Sequence, residues 1–252
     1  MQFRVIIPAR YESTRLPAKV LATIAGKPMI RWVVEVALRS KAMEVIVATD
    51  DERVAAAVGP GAAVVMTRAD HVSGTDRIAE VAATRGWADD QVVVNVQADE
   101  PQLPPALIDQ VAELLARDAK AAMATLSTPI ISVEELLDPN VVKVVSSDDR
   151  AALYFSRAPI PWHRDGASAG LTSQTRFDGA QRHLGIYAYR VRDLRRLTSL
   201  PPSSLELTEK LEQLRALQAG MRILIAEACV SPGVGVDTPE DLERVRAALA
   251  SS

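Results

Sequence analysis

Short apolar runs and helical patterns alternate along the first half of the chain. Four of the runs predict buried strands, at residues 3–7, 45–48, 62–66 and 91–97. Apolar positions at helical spacing predict helices at residues 28–39, at about 74–85 and from about 105 onward. Strands and helices in this alternation predict a mostly parallel sheet that is covered by helices on both faces.

The second half of the chain has a different pattern. Strands are predicted at residues 122–129, 141–146, 151–155, 184–189 and 221–229, without long helices between the later ones. The Asp-rich segment 147–150 predicts a hairpin turn. The polar segment 161–180, rich in Gly and Ser, predicts a mobile loop. Helices are predicted at about 207–218 and from Thr238, a residue type that favours the N-cap position.

The composition of the 252-residue chain is typical of a soluble globular protein, with 48% hydrophobic and 24% charged residues. The net charge of −3 gives no indication of a nucleic-acid or membrane partner. No signal peptide or membrane-spanning segment is predicted, so the expected location is the cytoplasm. The single cysteine, Cys229, lies in an apolar run and is predicted to be a small core residue.

The loop after the first predicted strand carries three cations, Arg10, Arg15 and Lys19. Long loops at the carboxyl end of a buried strand are where α/β proteins place ligands, and three cations favour an anionic ligand such as a polyphosphate. The loop contains neither GxGxxG nor GxxxxGK[ST], so side chains and loop amides would have to hold the phosphates. The alternative is that the three cations form a solvated surface.

Two carboxylates, Asp99 and Asp237, lie at the ends of separate predicted elements. Together they could hold one Mg²⁺ ion, which prefers oxygen ligands and usually keeps substrate phosphate among them. Each has an alternative role, Asp99 as a turn residue before Pro101 and Asp237 as a helix cap.

Polar residues of the second half are candidates for a further binding site. Arg157, His183 and Tyr187 lie on predicted half-buried strands, where a histidine can equally be a core residue whose hydrogen bonds are satisfied. Glu212 and Gln213 lie off the apolar face of the predicted 207–218 helix, so they form either a solvated surface or the wall of a pocket.

Nine collinear motifs carry a resemblance over essentially the whole chain: IIPARYESTRLPAK, GKPMI, ATD, TRADHVSGTDR, NVQADEP, FSRAPIPW, RHLGIYAY, LEQLRAL and GVDTPEDLERVR. In these motifs the chain resembles the 3-deoxy-manno-octulosonate cytidylyltransferase (CMP-Kdo synthetase) family. It departs from the family at Ala18 and Ala98, where Gly is frequent. If either position has a positive φ, alanine there costs on the order of 1 kcal/mol.

The resemblance implies a fold and a domain organisation. The expected fold is a three-layer α/β nucleotidyltransferase with a mixed, mostly parallel central sheet and a smaller β-rich lobe. The chain 1–252 would be a single domain, in which residues 1–120 bind CTP. Residues 121–205 would bind the sugar and form a homodimer, and residues 206–252 would complete the active site.

The resemblance also implies a reaction, in which the anomeric hydroxyl of 3-deoxy-manno-octulosonate (Kdo) attacks the α-phosphorus of CTP. The products would be pyrophosphate and CMP-Kdo, which is the activated sugar for lipopolysaccharide synthesis. The implied cofactor is Mg²⁺. Lys19, Arg10 and Arg15 would be catalytic, and Asp99 and Asp237 would hold the metal. The implied CTP site comprises Ala9, Arg10, Arg15, Lys19, Arg68, Ser73, Gly74 and Arg77. The implied sugar site comprises Gln97, Arg157, His183, Tyr187, Glu212 and Gln213.

Two other functions stay open. A sialic-acid cytidylyltransferase would use the same phosphate apparatus with a different sugar pocket, but that family lacks the RHLGIY and LEQLR motifs. A catalytically inactive nucleotide-binding protein would be expected to lose Lys19, Asp99 or Asp237, and the chain has all three. Kdo and its 8-amino analogue are not separated by the sequence.

Overall fold

A computed structural model describes residues 2–12 and 16–250. Arg15, one of the predicted phosphate ligands, lies outside the described residues. Within them the strands are β1 (Phe3–Pro8), β2 (Thr23–Ile24), β3 (Lys27–Pro28), β4 (Glu44–Thr49), β5 (Ala63–Met66), β6 (Val92–Asn95), β7 (Met123–Pro129), β8 (Lys143–Ser146), β9 (Ala152–Ser156), β10 (Gln181–Arg190) and β11 (Ile223–Glu227). The α-helices are α1 (Met29–Leu38), α2 (Glu52–Ala57), α3 (Gly74–Thr84), α4 (Pro105–Ala116), α5 (Val133–Leu137), α6 (Val191–Ser199), α7 (Ser204–Glu209), α8 (Gln213–Gln218) and α9 (Pro239–Ala250).

Seven strands form the central sheet in the order β11–β7–β10–β6–β1–β4–β5, and β8 and β9 extend it from β10. β1 runs parallel to β4 and β6, whereas β10 is antiparallel to both β6 and β7. This confirms the predicted mixed, mostly parallel sheet. The central strand β1 is buried on both faces, with Val5, Ile6 and Ile7 fully inaccessible to solvent, because helices cover both sides of a sheet of this kind.

Two apolar cores lie on opposite faces of the sheet and make the fold three-layered. On one face, side chains of α1 and α4 such as Ile30 and Leu107 pack against Val5. On the other face, side chains of α3 and α6 such as Ile78 and Leu194 belong to the core that contains Ile6. Successive residues of β1 therefore contribute to different layers, as the alternation of side chains along a strand requires.

The β-rich segment shares the central sheet with the first half of the chain. β7 and β10 are internal strands of that sheet, and β8 and β9 pair as the hairpin that was predicted around residues 147–150. Residues 161–180 contain two short 3₁₀ turns, at Arg164–Gly166 and Leu171–Ser173. The mobility of this segment and the division at residues 120 and 205 stay predictions. Within the part of the chain described, none of the helices has the length and apolar character needed to span a membrane.

The predicted helix at 207–218 is wrong, because the chain forms two short helices there. α7 starts early, since Ser203 and Glu206 form a capping box at its N-terminus. It ends at Glu209, because the next residue, Lys210, has a left-handed conformation (φ 55°) that breaks the helix before α8 begins. The nine-residue helix α6, which directly follows β10, was not predicted either.

The prediction that Cys229 is a core residue is also wrong. β11 ends at Glu227, two residues earlier than predicted, so Cys229 lies in the following loop and is exposed. Its backbone N–H is bound by the side chain of Gln110 at 2.9 Å. Because the apolar run continues past the end of the strand, the apolar pattern predicts a strand that is too long.

A buried lysine holds the start of β8 against its surroundings. Lys143 is fully inaccessible, and its Nζ donates to the carbonyl oxygens of Asp138 (2.8 Å), Val141 (2.6 Å) and Arg157 (2.6 Å). Burial lowers the pKa of this ammonium group below its ordinary value. Three carbonyl acceptors use all three of its protons, so the charge is buried with its hydrogen bonds satisfied.

Replacing Lys143 with methionine should therefore destabilise the protein by about 3 kcal/mol, because three partly buried carbonyl groups lose their donor. Chemical denaturation monitored by circular dichroism measures the change. The matched control is Lys41→Met at the exposed Lys41, whose ion pair with Glu113 is long at 3.4 Å and should change stability by less than about 0.5 kcal/mol. Equal effects of the two substitutions would contradict this account of Lys143.

Candidate active site

A cleft of about 290 Å³ lies at the carboxyl ends of β1 and β6. We call it the main cleft. It is bounded by the loop after β1, the N-terminus of α3 and the segment before α9. Predicted site residues that line it are Arg10, Lys19, Ser73, Gly74, Arg77, Gln97, Asp99 and Asp237. The structure thus brings together residues from four distant parts of the chain, at the edge of the sheet where α/β proteins bind ligands.

Lys19 connects several walls of the main cleft through its side-chain ammonium group. Its Nζ lies 2.6 Å from Asp99 Oδ2 and 3.3 Å from Asp237 Oδ1, and it donates to the carbonyl oxygen of Val236 at 2.9 Å. The side chain is only 12% exposed, whereas those of Asp99 and Asp237 are 32% and 54% exposed. One ammonium group therefore bridges both predicted metal ligands.

The backbone that precedes Lys19 carries conformational strain. Ala18 has φ 54° and ψ 29°, the left-handed region, and directly precedes the 3₁₀ turn Lys19–Leu21. This is the position at which a glycine would be unstrained, so alanine costs on the order of 1 kcal/mol here. Ala98, the other departure from the family pattern, has no such conformation and is buried in the wall of the main cleft.

Glycines let the segment before α9 approach the end of β6. A Cβ on Gly233 would lie 2.2 Å from the carbonyl oxygen of Gln102, and one on Gly235 would lie 2.9 Å from the carboxylate of Glu100. The contact is closed by a hydrogen bond of 2.9 Å from Val236 N to Asp99 O. This close approach carries Asp237 to Lys19.

The helix start that was predicted at Thr238 is confirmed. Thr238 Oγ1 accepts from the backbone N–H of Asp241 at 3.2 Å, and Asp241 Oδ2 accepts in return from the N–H groups of Thr238 (2.8 Å) and Asp237 (3.0 Å). Pro239 is the first residue of α9, the position that proline favours. The cap is supplied by Thr238, so the carboxylate of Asp237 can serve Lys19.

The N-terminus of α3 forms a second wall of the main cleft. Ser73 and Asp76 make a reciprocal capping box. Gly74 packs against Pro8, where a Cβ would lie 3.1 Å from the proline ring. Arg77 is 4% exposed, lies 3.1 Å from the carboxylate of Asp50 and also donates to the Thr67 hydroxyl. Its charge is therefore fixed in the wall.

Two of the predicted CTP-site residues do not line the main cleft. Arg68 is 69% exposed, pairs with Asp70 at 3.2 Å and borders a neighbouring open surface. Ala9 is buried, and its backbone N–H donates to Ala48 O at 2.8 Å as part of the sheet. Their contacts with nucleotide stay predictions.

Two further spaces adjoin the main cleft, and most of the predicted sugar residues line them. The inner cavity, about 200 Å³, is lined by Tyr187, Glu212 and Gln213. The side cleft, about 360 Å³, is lined by His183 and by Asp237. Gln97 lines the main cleft, the inner cavity and the side cleft, so it stands where the three meet.

Arg157 does not line any of these three spaces. Its Nε donates to the carbonyl oxygen of Glu209 at 2.8 Å and its Nη1 to that of Pro139 at 2.9 Å. The Glu209 carboxylate in turn accepts from the Arg157 backbone N–H at 2.9 Å. Two sides of the guanidinium are thus engaged with backbone, and a direct contact of Arg157 with a sugar carboxylate stays a prediction.

His183 is held as a neutral ring of one tautomer. Thr125 Oγ1 lies within 3.0 Å of two carbonyl oxygens, those of Leu184 and Ile186, and it must donate its only proton to one of them. His183 Nε2, 2.9 Å from the same oxygen, therefore carries a hydrogen and donates, which leaves Nδ1 as an acceptor. Burial lowers the pKa of His183 to about 3.

Two of the ionisable residues that line the side cleft, Glu100 and Arg182, were not predicted as site residues. Glu100 lines it, and burial, with the charges of Asp99 and Asp237, raises the pKa of Glu100 to about 8. Arg182 also lines it and pairs with Glu135 at 3.2 Å. Both stand beside predicted residues in the quoted motifs, NVQADEP and RHLGIYAY, which was the available signal for them.

The fold and the main cleft define a nucleotidyltransferase, and comparisons with known proteins agree. The family model described as Cytidylyltransferase matches residues 4–223. A 3-deoxy-manno-octulosonate cytidylyltransferase of Thioalkalivibrio sulfidiphilus is 56% identical over 250 residues, 99% of each chain. One of Vibrio vulnificus is 54% identical over 254 residues, 100% of this chain and 99% of the relative.

Solved structures give the same result. A CMP:2-keto-3-deoxy-manno-octonic acid synthetase complexed with CTP superposes with a TM-score of 0.87 at 44% identity, over 99% of this chain and 98% of the other. A cytidylyltransferase of Leptospira borgpetersenii, 16% identical with a TM-score of 0.61, covers 100% of this chain and 87% of its own and shares the fold. The chain belongs to the cytidylyltransferase family and, within it, to the 3-deoxy-manno-octulosonate cytidylyltransferases.

The ring of His183 should stay neutral in the folded protein between pH 8 and about pH 5, with its hydrogen on Nε2. Its pKa in the folded state lies below the ordinary value, so the unfolded state takes up a proton first and acidification from about pH 6.5 should lower stability. Long-range ¹⁵N–¹H NMR of the imidazole measures both tautomer and charge, and His183→Gln assigns the signals. A ring that becomes cationic near pH 6.5 would contradict the structure.

Proposed function

We propose that this protein transfers the cytidylyl group of CTP to the anomeric hydroxyl of Kdo, giving CMP-Kdo and pyrophosphate. The product would be the activated Kdo used in lipopolysaccharide synthesis. The observation that carries the proposal is the position of Lys19 between Asp99 and Asp237, in a cleft that adjoins the inner cavity. The names of relatives that are 54–56% identical over the whole chain support it.

The main cleft would take the triphosphate of CTP. Arg10 and Lys19 line it, Arg15 belongs to the same loop, and the buried Arg77 adds a fixed charge. The N-terminus of the eleven-residue helix α3, at Ser73 and Gly74, is also suited to an anion. Phosphoryl transfer of this kind depends mainly on positioning and on neutralising charge, which these groups supply.

Mg²⁺ is proposed as the cofactor, held by Asp99 and Asp237. The carboxylates fit it, because both lie within 3.3 Å of one Nζ and a single cation can therefore contact both. Mg²⁺ usually keeps several waters and substrate phosphate among its ligands, so two protein carboxylates can be enough to hold it. When bound, Mg²⁺ would neutralise phosphate charge and lower the pKa of the attacking hydroxyl.

The inner cavity would take the sugar. Its polar lining, Tyr187, Glu212 and Gln213, suits a substrate with many hydroxyl groups, and Gln97 lies between this cavity and the main cleft. His183 would offer Nδ1 as an acceptor from the side cleft. For the sugar carboxylate, Arg182 in the side cleft is an alternative to Arg157.

A homodimer in the cytoplasm is also proposed, chiefly from the resemblance. Several large apolar side chains of the β-rich segment are exposed, among them Ile131 (80%), Leu153 (61%) and Leu171 (55%). Exposed apolar surface of this kind is consistent with a protein interface there.

The proposed function predicts pyrophosphate release that depends on CTP, on Mg²⁺ and on the sugar. The assay offers Kdo, its 8-amino analogue and sialic acid side by side, with ATP replacing CTP as the nucleotide control. Turnover with Kdo should exceed that with sialic acid by at least about 10³, since a site built for one polar substrate rejects a mismatched one strongly. Faster turnover with sialic acid, or none with Kdo, would overturn the proposal.

Asp99→Asn and Asp237→Asn should each weaken the dependence of the rate on Mg²⁺ while leaving the thermal midpoint within a few degrees. If both act through one ion, the double variant should be little slower than the slower single one. Rates titrated against Mg²⁺ test this, with Asp89→Asn at a surface ion pair as the control. Losses that multiply fully would show that the two carboxylates do separate work.

A further inference from the structure

One buried amide oxygen in the wall of the inner cavity has no hydrogen-bond partner among the described residues. Asn95, the last residue of β6, is 2% exposed, and no described residue hydrogen-bonds its Oδ1. An apolar side chain of similar shape would avoid the desolvation cost of an unpaired oxygen. A polar residue kept at such a position therefore needs an explanation beyond the fold.

The position of Asn95 connects it with the predicted sugar residues. Asn95 lines the inner cavity, and in the sheet it lies directly opposite Tyr187. Val93, Asn95 and Gln97 alternate along the chain, so they share one face of β6 and its continuation. Along this face Val93 belongs to the apolar core, Asn95 is a buried amide, and Gln97 is the amide that lines all three spaces.

Polar groups surround this amide. Thr75, Tyr189 and Glu212 line the inner cavity together with Asn95. The side chains of Thr75 and Asn95 lie close enough to the Tyr189 hydroxyl to oppose the rise in its pKa that burial causes. The amide therefore lies in a polar part of the cavity wall, and its Oδ1 has no hydrogen-bond partner among the described residues.

We propose that Asn95 is a specificity residue for the sugar, whose Oδ1 accepts a hydrogen bond from one sugar hydroxyl. The inference rests on the proposed function, since it concerns the same substrate site. A polyhydroxylated acid brings several O–H donors, and the cavity presents the acceptors Glu212 and Asn95 to them. A substrate without the matching hydroxyl would leave the oxygen unpaired, and this disfavours it.

The test is Asn95→Leu, which removes both polar atoms and keeps a similar shape. The KM for Kdo should rise about tenfold, the KM for CTP should stay within about twofold, and the thermal midpoint should be unchanged or higher. A purely structural asparagine would instead lower the midpoint and leave the KM for Kdo unchanged. Either an unchanged KM for Kdo or equal rises in both KM values overturns the proposal.

The matched control is Gln174→Leu. Gln174 is another buried amide, 4% exposed, but its Oε1 accepts from the N–H of Arg176 at 3.1 Å and its Nε2 donates to His163 O at 3.1 Å. The same chemical change there should lower the midpoint and leave both KM values unchanged. A midpoint that falls in Gln174→Leu but not in Asn95→Leu is the result expected of an amide that is held for a ligand.

Substrate analogues test the contact without relying on a single variant. Among monodeoxy analogues of Kdo, one should lose about tenfold in kcat/KM with the wild-type protein and lose nothing further with Asn95→Leu. If Asn95→Leu does not fold, Tyr189→Phe, which removes the hydroxyl group beside Asn95, should reduce the penalty for that same analogue. An identical penalty for every analogue in all variants overturns the proposal. Failure of the wild-type protein to use Kdo would refute the proposed function instead.

Discussion

One ammonium group, Lys19 Nζ, joins parts of the chain that are 80 and 218 residues apart in sequence. It contacts Asp99, which follows β6, and Asp237, which precedes α9. It also donates to the carbonyl oxygen of Val236, the residue before Asp237. Because its side chain is 12% exposed, these charges interact in a medium that screens them less than water does. The geometry of the main cleft depends on this contact.

Several local features make the contact possible. The left-handed Ala18 turns the chain so that Lys19 enters the cleft. Gly233 and Gly235 allow the segment before α9 to lie against Gln102 and Glu100, where a Cβ would collide. Thr238 caps α9, so that Asp237 is available to Lys19. Each of these features supports a contact in the site but restricts or strains the local backbone, which is common at functional sites.

The elements whose apolar patterns are long and regular could be predicted from the sequence. β1, α1 and α4 follow directly from their periodicity, and the resemblance of the motifs identified Lys19, Asp99 and Asp237 as one site. The break at Lys210 could not be predicted, because the leucine spacing continues through it and a single left-handed residue ends the helix. The partners of Arg157 could not be predicted either, because they are two backbone carbonyl groups in segments that are distant in sequence. Asn95 left a visible signal, a lone amide in a β-branched strand, but its unpaired oxygen is a property of the packed structure.

We propose that Lys19 acts as a counterion between the two carboxylates when nucleotide and the proposed Mg²⁺ are absent. Binding of Mn²⁺, as a probe for the proposed Mg²⁺ site, can be measured by electron paramagnetic resonance with and without CTP. Removing one positive charge about 3 Å from both carboxylates should make Lys19→Met bind Mn²⁺ roughly tenfold more tightly than the wild-type protein when CTP is absent. With CTP present, the same variant should bind the metal–nucleotide complex more weakly, because it lacks a phosphate partner. Unchanged or weaker binding of Mn²⁺ by Lys19→Met in the absence of CTP would contradict the account.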